Sequence, residues 1–217
     1  MDHLTAYPEF AEETDNNSNR PDYKKELFDW LDIIVTSMVA VVIIFTFFFR
    51  LVTIVGDSMQ NSFYSGEKII ITNLFYEPEF GDVIVISRNA KNSTILSDAT
   101  SEPIIKRVIA TGGQYVDIDF ESGKVYVGYD LGDMVELSEP YTKTPTNMRA
   151  DVQFPVYVEE GYVFVLGDNR NDSKDSRFSE IGEDGLISEK YILGKAIVRI
   201  FPFDRIGKIE SPKGELD

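Results

Sequence analysis

IIKRVIATGGQYVDIDFESGKVYVG, residues 104–128, decides the fold class. Three runs within it, IIKRVIA (104–110), YVDIDF (115–120) and KVYVG (124–128), are short and rich in Val, Ile, Tyr and Phe, the composition of strands bounded by turn residues. Glu121-Ser122-Gly123 between the last two is a hairpin signal. The same pattern continues outward in KIIIT (68–72), DVIVIS (82–87), YVFVL (162–166) and AIVRIF (196–201). No long amphipathic helix is expected after residue 55. The spacing therefore predicts an all-β barrel or sandwich, with residues 129–160, which contain Pro140, Pro145 and Pro155, as a looser excursion.

The chain reaches this body through a different kind of sequence. Ile33 to Phe49 is 17 residues without a charge, and Leu51 to Val55 extends the apolar stretch past Arg50, which can snorkel to headgroups. This reads as one transmembrane helix with flanks over 28–53. It exceeds the apolar core of a cleavable leader, and Arg50-Leu51-Val52 supplies no small-x-small cut site. Trp30 and the phenylalanines at 47–49 supply interfacial aromatics at its two ends. Arg20, Lys24 and Lys25 precede the span while Arg50 and the distant Lys68 follow it, so the expected orientation is a cytoplasmic N-terminus with the β-rich part outside. Residues 1–32 carry nine Asp or Glu against three Lys or Arg, too few apolar groups to offset ordering entropy, and 1–27 is expected to be an acidic tail, disordered to about residue 22. The body is expected over 54–210, with 211–217 as a C-terminal tail.

A net charge of −16 argues against nucleic acid as a partner. There is no cysteine, and the only histidine is His3, on the far side of the apolar run. Thiol chemistry, a Ser-His-Asp triad and an HExxH zinc site are thereby excluded, and neither metal nor cofactor is expected. What remains for the stretch IVGDSMQNSF (54–63), a few residues beyond the span, is a nucleophilic Ser58 served by a lysine base. In IIKRVI, Lys106 shares a strand face with Ile104 and Val108, where burial disfavours the ammonium. A gatekeeping Lys-Arg pair on an edge strand has the same spacing. The polar run GDNRNDSKDSRF (167–178) leaves a strand and reads equally as a solvated turn. Asn169, Asn171, Ser173 and Glu180 also fall at EF-hand offsets, but Lys174 stands where that loop needs glycine. Ser65 and Lys68 have an S-x-x-K spacing with neither of the partner motifs that accompany it in penicillin-binding enzymes.

GDSM (56–59), GDVIV (81–85), IKRVIATGG (105–113) and GDNRNDSKDSR (167–177), in this order after one apolar span, resemble the type I signal peptidases, above all the single-span Gram-positive form. The likeness covers almost the whole chain after residue 28. It implies a membrane-bound endopeptidase that cuts signal peptides from exported preproteins after Ala-x-Ala-like sites, near the secretion translocon, through a Ser-Lys dyad of Ser58 and Lys106. It also implies that Ser173 helps to hold the lysine amine and that Asp175 and Arg177 form a supporting charged pair. Arg107, Gly167 and Asp168 fall on further motif positions, and Ile54, Met59, Phe63 and Ile104 fall where the family lines shallow substrate pockets. Three positions depart from the family pattern: Gly56 replaces an oxyanion-binding serine of some members, Asn61 replaces a proline, and Ser188 another. A non-catalytic relative that assists assembly of surface structures would be expected to lose the nucleophile or base, and both are kept. An autoproteolytic Ser-Lys regulator would need a cleavable loop and a DNA-binding domain, neither of which is evident.

Overall fold

The computed structural model describes residues 23–87 and 103–212, so 1–22 of the acidic tail read over 1–27 lie outside the described residues, as do 88–102 and the last five, while residues 23–27 already belong to a helix. Two units divide between Ile43 and Ile44. The first is dominated by helix α1, Tyr23–Phe48, whose 26 residues span about 39 Å at 1.5 Å per residue. That exceeds the roughly 30 Å hydrocarbon core of a bilayer. From Tyr23 to Thr46 it is long and apolar enough to cross a membrane, with none of its apolar window buried by protein. Ser37 returns its hydroxyl to the Ile34 carbonyl at 2.9 Å, so this polar group is satisfied inside the helix. An apolar, uncovered helix of this length fits a transmembrane anchor.

The second unit is the expected all-β body. Its strands are β1 (Phe49–Thr53), β2 (Lys68–Thr72), β3 (Val83–Ile86), β4 (Ile104–Thr111), β5 (Tyr115–Asp119), β6 (Lys124–Gly128), β7 (Val135–Glu136), β8 (Val156–Tyr157), β9 (Tyr162–Leu166), β10 (Ile187–Ser188), β11 (Ile192–Phe201) and β12 (Gly207–Lys208). The larger sheet runs β1-β2-β11-β3-β4-β9-β10, with β12 on β11, and the smaller β7-β6-β5-β8. Every pairing is antiparallel. The hairpin at Glu121–Gly123 joins β5 to β6 in the register Asp119 to Lys124, and Gly123 has φ +75 with Pro145 packed against the place a Cβ would take.

Alternation explains the half-buried strands: in β2 the side chains of Ile69 and Ile71 point inward and Lys68 outward. β4 is buried on both faces because it is central in the large sheet and is covered by the small one. Ile109, Phe164 and Leu166 of the large sheet meet Val116, Ile118, Val125 and Val127 of the small sheet in one cluster. Burying each such side chain stabilises by about 1.5–3 kcal/mol. One boundary differs from the sequence reading. Residues 49–53, read as a continuation of the apolar span, form edge strand β1, paired from Phe49–Thr72 to Thr53–Lys68. A five-residue stretch of this kind, FRLVT, fits either state, and the β2 ladder offers those backbone groups partners that a helix end would lack.

Candidate active site

Four segments meet around Ser58. The first is the loop 54–67 between β1 and β2, held to itself by Ile54 N–H on the Glu67 carbonyl and Gly66 N–H on the Ile54 carbonyl. Gly56 within it has φ +89, a conformation that favours glycine. The second is β4, which carries Lys106. The third is the segment after β9, residues 167–178, and the fourth is the stretch 139–148 of the excursion.

Lys106 is 4% exposed, and its Nζ lies 2.8 Å from Ser58 Oγ and 2.9 Å from the Ile105 carbonyl. Ser58 is half-buried. The backbone ladder places Lys106 opposite Ile84 of β3, at the centre of the sheet rather than at an edge. An edge gatekeeper would face solvent, so the geometry is that of a nucleophile and an adjacent base.

Buried arginines organise the segments around this pair. Arg107 grips Asp168 with two parallel bonds, Nε to Oδ1 at 2.8 Å and Nη2 to Oδ2 at 2.7 Å, and donates to the Gly81 carbonyl at 2.7 Å. Asp168 in turn accepts from Ser62 Oγ at 2.5 Å, joining the serine loop to the third segment. Tyr141 lies under the Arg107 guanidinium at 4.0 Å, and burial pushes its phenol well above the ordinary tyrosine range. Asn169 clamps the serine loop directly: its N–H donates to the Ser58 carbonyl at 3.0 Å and its side-chain amide to the Asp57 carbonyl at 3.1 Å. Arg177 pairs bidentately with Asp175 at 2.8 and 2.9 Å, and Asp175 also accepts the Gly167 N–H at 3.0 Å. Arg170 binds Glu139 through both Nη atoms and Thr146 Oγ1 at 2.6 Å, fastening the excursion to the site. Such forks fix orientation as well as charge. Residues 167–178 are thus an internal brace, not a solvated turn. Of the EF-hand positions, Asn171 Oδ1 accepts the Met148 N–H at 3.1 Å and Glu180 pairs with Lys174 at 3.6 Å, so both are engaged elsewhere.

The remaining sequence candidates fall in different places. Ser173 is 5% exposed, yet its Oγ makes no hydrogen bond, so the support for the lysine amine that the resemblance implies is not a direct bond here. It stands beside Gly167: a Cβ built there would lie 2.2 Å from Ser173 Oγ and 2.5 Å from the Ser58 carbonyl. Gly167→Ala is expected to displace the serine loop and to lower activity by about tenfold or more, the scale of loss from small misplacements of reacting groups. Rates measured beside melting curves check this, and wild-type rates would contradict it. Ile54, Met59 and Phe63 share one core cluster with Ile105, at 2%, 1% and 2% exposure. Ile104 is half-buried and packs against a separate cluster. Sequence reasoning gave Ser62 and Arg170 no role and weighed Asn169 only at an EF-hand offset. Their signal was membership of the stretches 54–63 and 167–178.

The signal peptidase family model, peptidase S26, matches residues 27–201. The chain belongs to this family. Signal peptidase IB of Staphylococcus aureus is 32% identical over 206 residues, covering 88% of this chain and 97% of the relative. Signal peptidase I of Bacillus licheniformis is 29% identical over 197 residues, 86% and 95% of the two chains. Among solved structures, a signal peptidase I from Enterococcus faecalis V583 is 24% identical with a TM-score of 0.38, covering 55% of this chain and 97% of that one. Membership of the signal peptidase family makes this chain a serine peptidase of signal-peptide processing, with preproteins as substrates and a membrane as its setting. The match takes in the apolar helix from Leu27 onward and every segment of the site.

Proposed function

We propose that this chain removes signal peptides from exported preproteins by cutting after Ala-x-Ala-like sequences, with Ser58 as nucleophile and Lys106 as general base. The observation that supports this most is the 2.8 Å approach of the Lys106 amine to the Ser58 hydroxyl in a buried setting, with no histidine among the described residues. A neutral amine at that distance takes the hydroxyl proton as Oγ attacks the scissile carbonyl, and the lysine then returns the proton to the leaving amine of the mature chain. An acyl-enzyme on Ser58 remains. Water that gives its proton to Lys106 attacks this ester, and Oγ leaves with a proton to restore the dyad. The backbone N–H of Ser58 serves the developing oxyanion, since Gly56 has no side-chain donor. Arg107, Asp175, Arg177 and Ser173 act by position, keeping the serine loop and the brace at fixed separation.

In this reading α1 is a single anchor with its N-terminus in the cytoplasm and residues 54–210 outside, close to where the translocon delivers preproteins. Incubation of the full chain in mild detergent with a model preprotein, followed by sequencing of the new N-terminus, tests the specificity. The expected cut follows a small-x-small tripeptide. No cleavage, or cleavage at unrelated sites, would overturn the proposal.

A further inference from the structure

A cavity lies beside the site, and its lining includes neither Ser58 nor Lys106. Its volume is about 500 Å³, and it is walled by Ser62 and Phe63 of the serine loop, by Pro140 and Tyr141, and by the β11–β12 region through Pro212. In a chain of net charge −16 this wall is cationic. Arg107, Arg199, Arg205 and Lys208 line it, with Glu210 as the lining carboxylate. Asp168 answers Arg107, while Arg199 and Arg205 share one carboxylate, that of Glu67. Lys208 is exposed and makes no ion pair among the described residues. Four cations therefore meet three carboxylates.

The pairing of Arg199 is also incomplete. Its Nε lies 2.8 Å from Glu67 Oε2, but both atoms are buried and neither completes a hydrogen bond, since the N–H is not aimed at the carboxylate. Burial, with the like charge of Arg205 beside it, holds the Arg199 guanidinium below its ordinary range against the pull of Glu67.

The geometry points to a binding site for a phosphate-bearing anion, held between Arg199, Arg205 and Lys208. A tetrahedral phosphate offers several acceptor oxygens to guanidinium forks and an ammonium at once. The volume leaves room for an ester substituent, so inorganic phosphate and the headgroup of an anionic phospholipid present the same chemistry. Apolar groups stand nearby: Tyr64 under Arg205 at 4.8 Å, and Phe203, 79% exposed, in edge contact with Phe201. Arg199 donates to the Ser62 carbonyl at 2.6 Å, so an occupied cavity stiffens the loop that carries Ser58.

The test uses the full chain, with Lys208→Gln as the principal variant and Lys124→Gln as the control for loss of a distant charge. Melting curves are recorded in an uncharged detergent with inorganic phosphate against chloride at equal ionic strength. They are then repeated in nanodiscs of phosphatidylcholine, with and without one part in three of phosphatidylglycerol. The expected result is a rise in Tm with one or both phosphate sources, weakened about tenfold in apparent affinity by Lys208→Gln and unchanged by Lys124→Gln. Basal preprotein cleavage without either source stays at the wild-type rate in Lys208→Gln. A response to inorganic phosphate assigns the site to soluble phosphate, and a response to phosphatidylglycerol alone assigns it to a lipid headgroup. No response to either, or one that Lys208→Gln leaves intact, overturns the site. The readout is binding, so its failure is distinct from failure of the peptidase reading.

Discussion

Lys106→Met is expected to yield a folded chain that cleaves preprotein about 10⁴–10⁶ times more slowly than the wild type, the scale on which loss of a nucleophile or its base acts in serine peptidases. Methionine fills the volume between β3 and the serine loop with an unbranched apolar stem, so the fold keeps its packing while the amine at 2.8 Å from Ser58 Oγ is gone. Ser58→Ala is expected to lose as much, and the double variant no more, because the two act in one proton transfer. Initial rates with purified proteins beside thermal melting curves decide this. A rate within tenfold of wild type for either single variant would sink the dyad. The pH profile gives a second check with a definite sign: the base works only as a neutral amine, so wild-type activity is expected to fall on acidification as Lys106 takes up a proton. A flat profile into mild acid contradicts a lysine base.

Asp175→Asn is expected to destabilise the β body by about 3–5 kcal/mol, the usual cost of leaving a buried charge without its partner. Arg177 is fully buried, and its two bonds to Asp175 are the charged contacts that compensate it; its other bonds go to the carbonyls of Met148, Arg170 and Ser173. Asparagine preserves the shape but supplies no counter-charge. For a chain of this size, that cost lowers Tm by roughly 6–20 °C. The effect also reaches the site, since Asp175 accepts the Gly167 N–H and Gly167 touches the Ser58 backbone. Calorimetry of the two proteins in the same detergent measures it, and a shift under 2 °C would show that the brace does not depend on this pair. Replacing both residues, Asp175→Leu with Arg177→Met, is expected to recover part of the loss, because two apolar groups leave no uncompensated charge.

The strands that could be read from the chain were those whose side chains carry their own evidence. KIIIT and KVYVG coincide with β2 and β6 to the residue, and YVFVL with β9. The run AIVRIF was only the second half of β11, whose first residues, ILGK, contain Gly194 at a bulge against β3. The two-residue strands β7, β8, β10 and β12 were invisible, because a pair of residues has no periodicity and exists as strand only through its neighbour. Leu51 to Thr53 was ambiguous for a similar reason, apolar enough for the span and the ladder alike.

Composition by itself narrowed the reading: with no thiol, and with the one histidine ahead of the apolar run in the sequence, it turned to a serine with a lysine base. It also determined an apolar span followed by β structure, since both depend on local period and length. The motif pattern already pointed to Lys106, but only tertiary structure brought its amine to Ser58 and decided which polar residues brace the pair. Ser58 and Lys106 are 48 residues apart, and Ser62 and Asp168 are 106 apart. Distances of that kind are set by the order of strands in a sheet and by the burial of three arginines with their carboxylates. No local pattern in the chain records either.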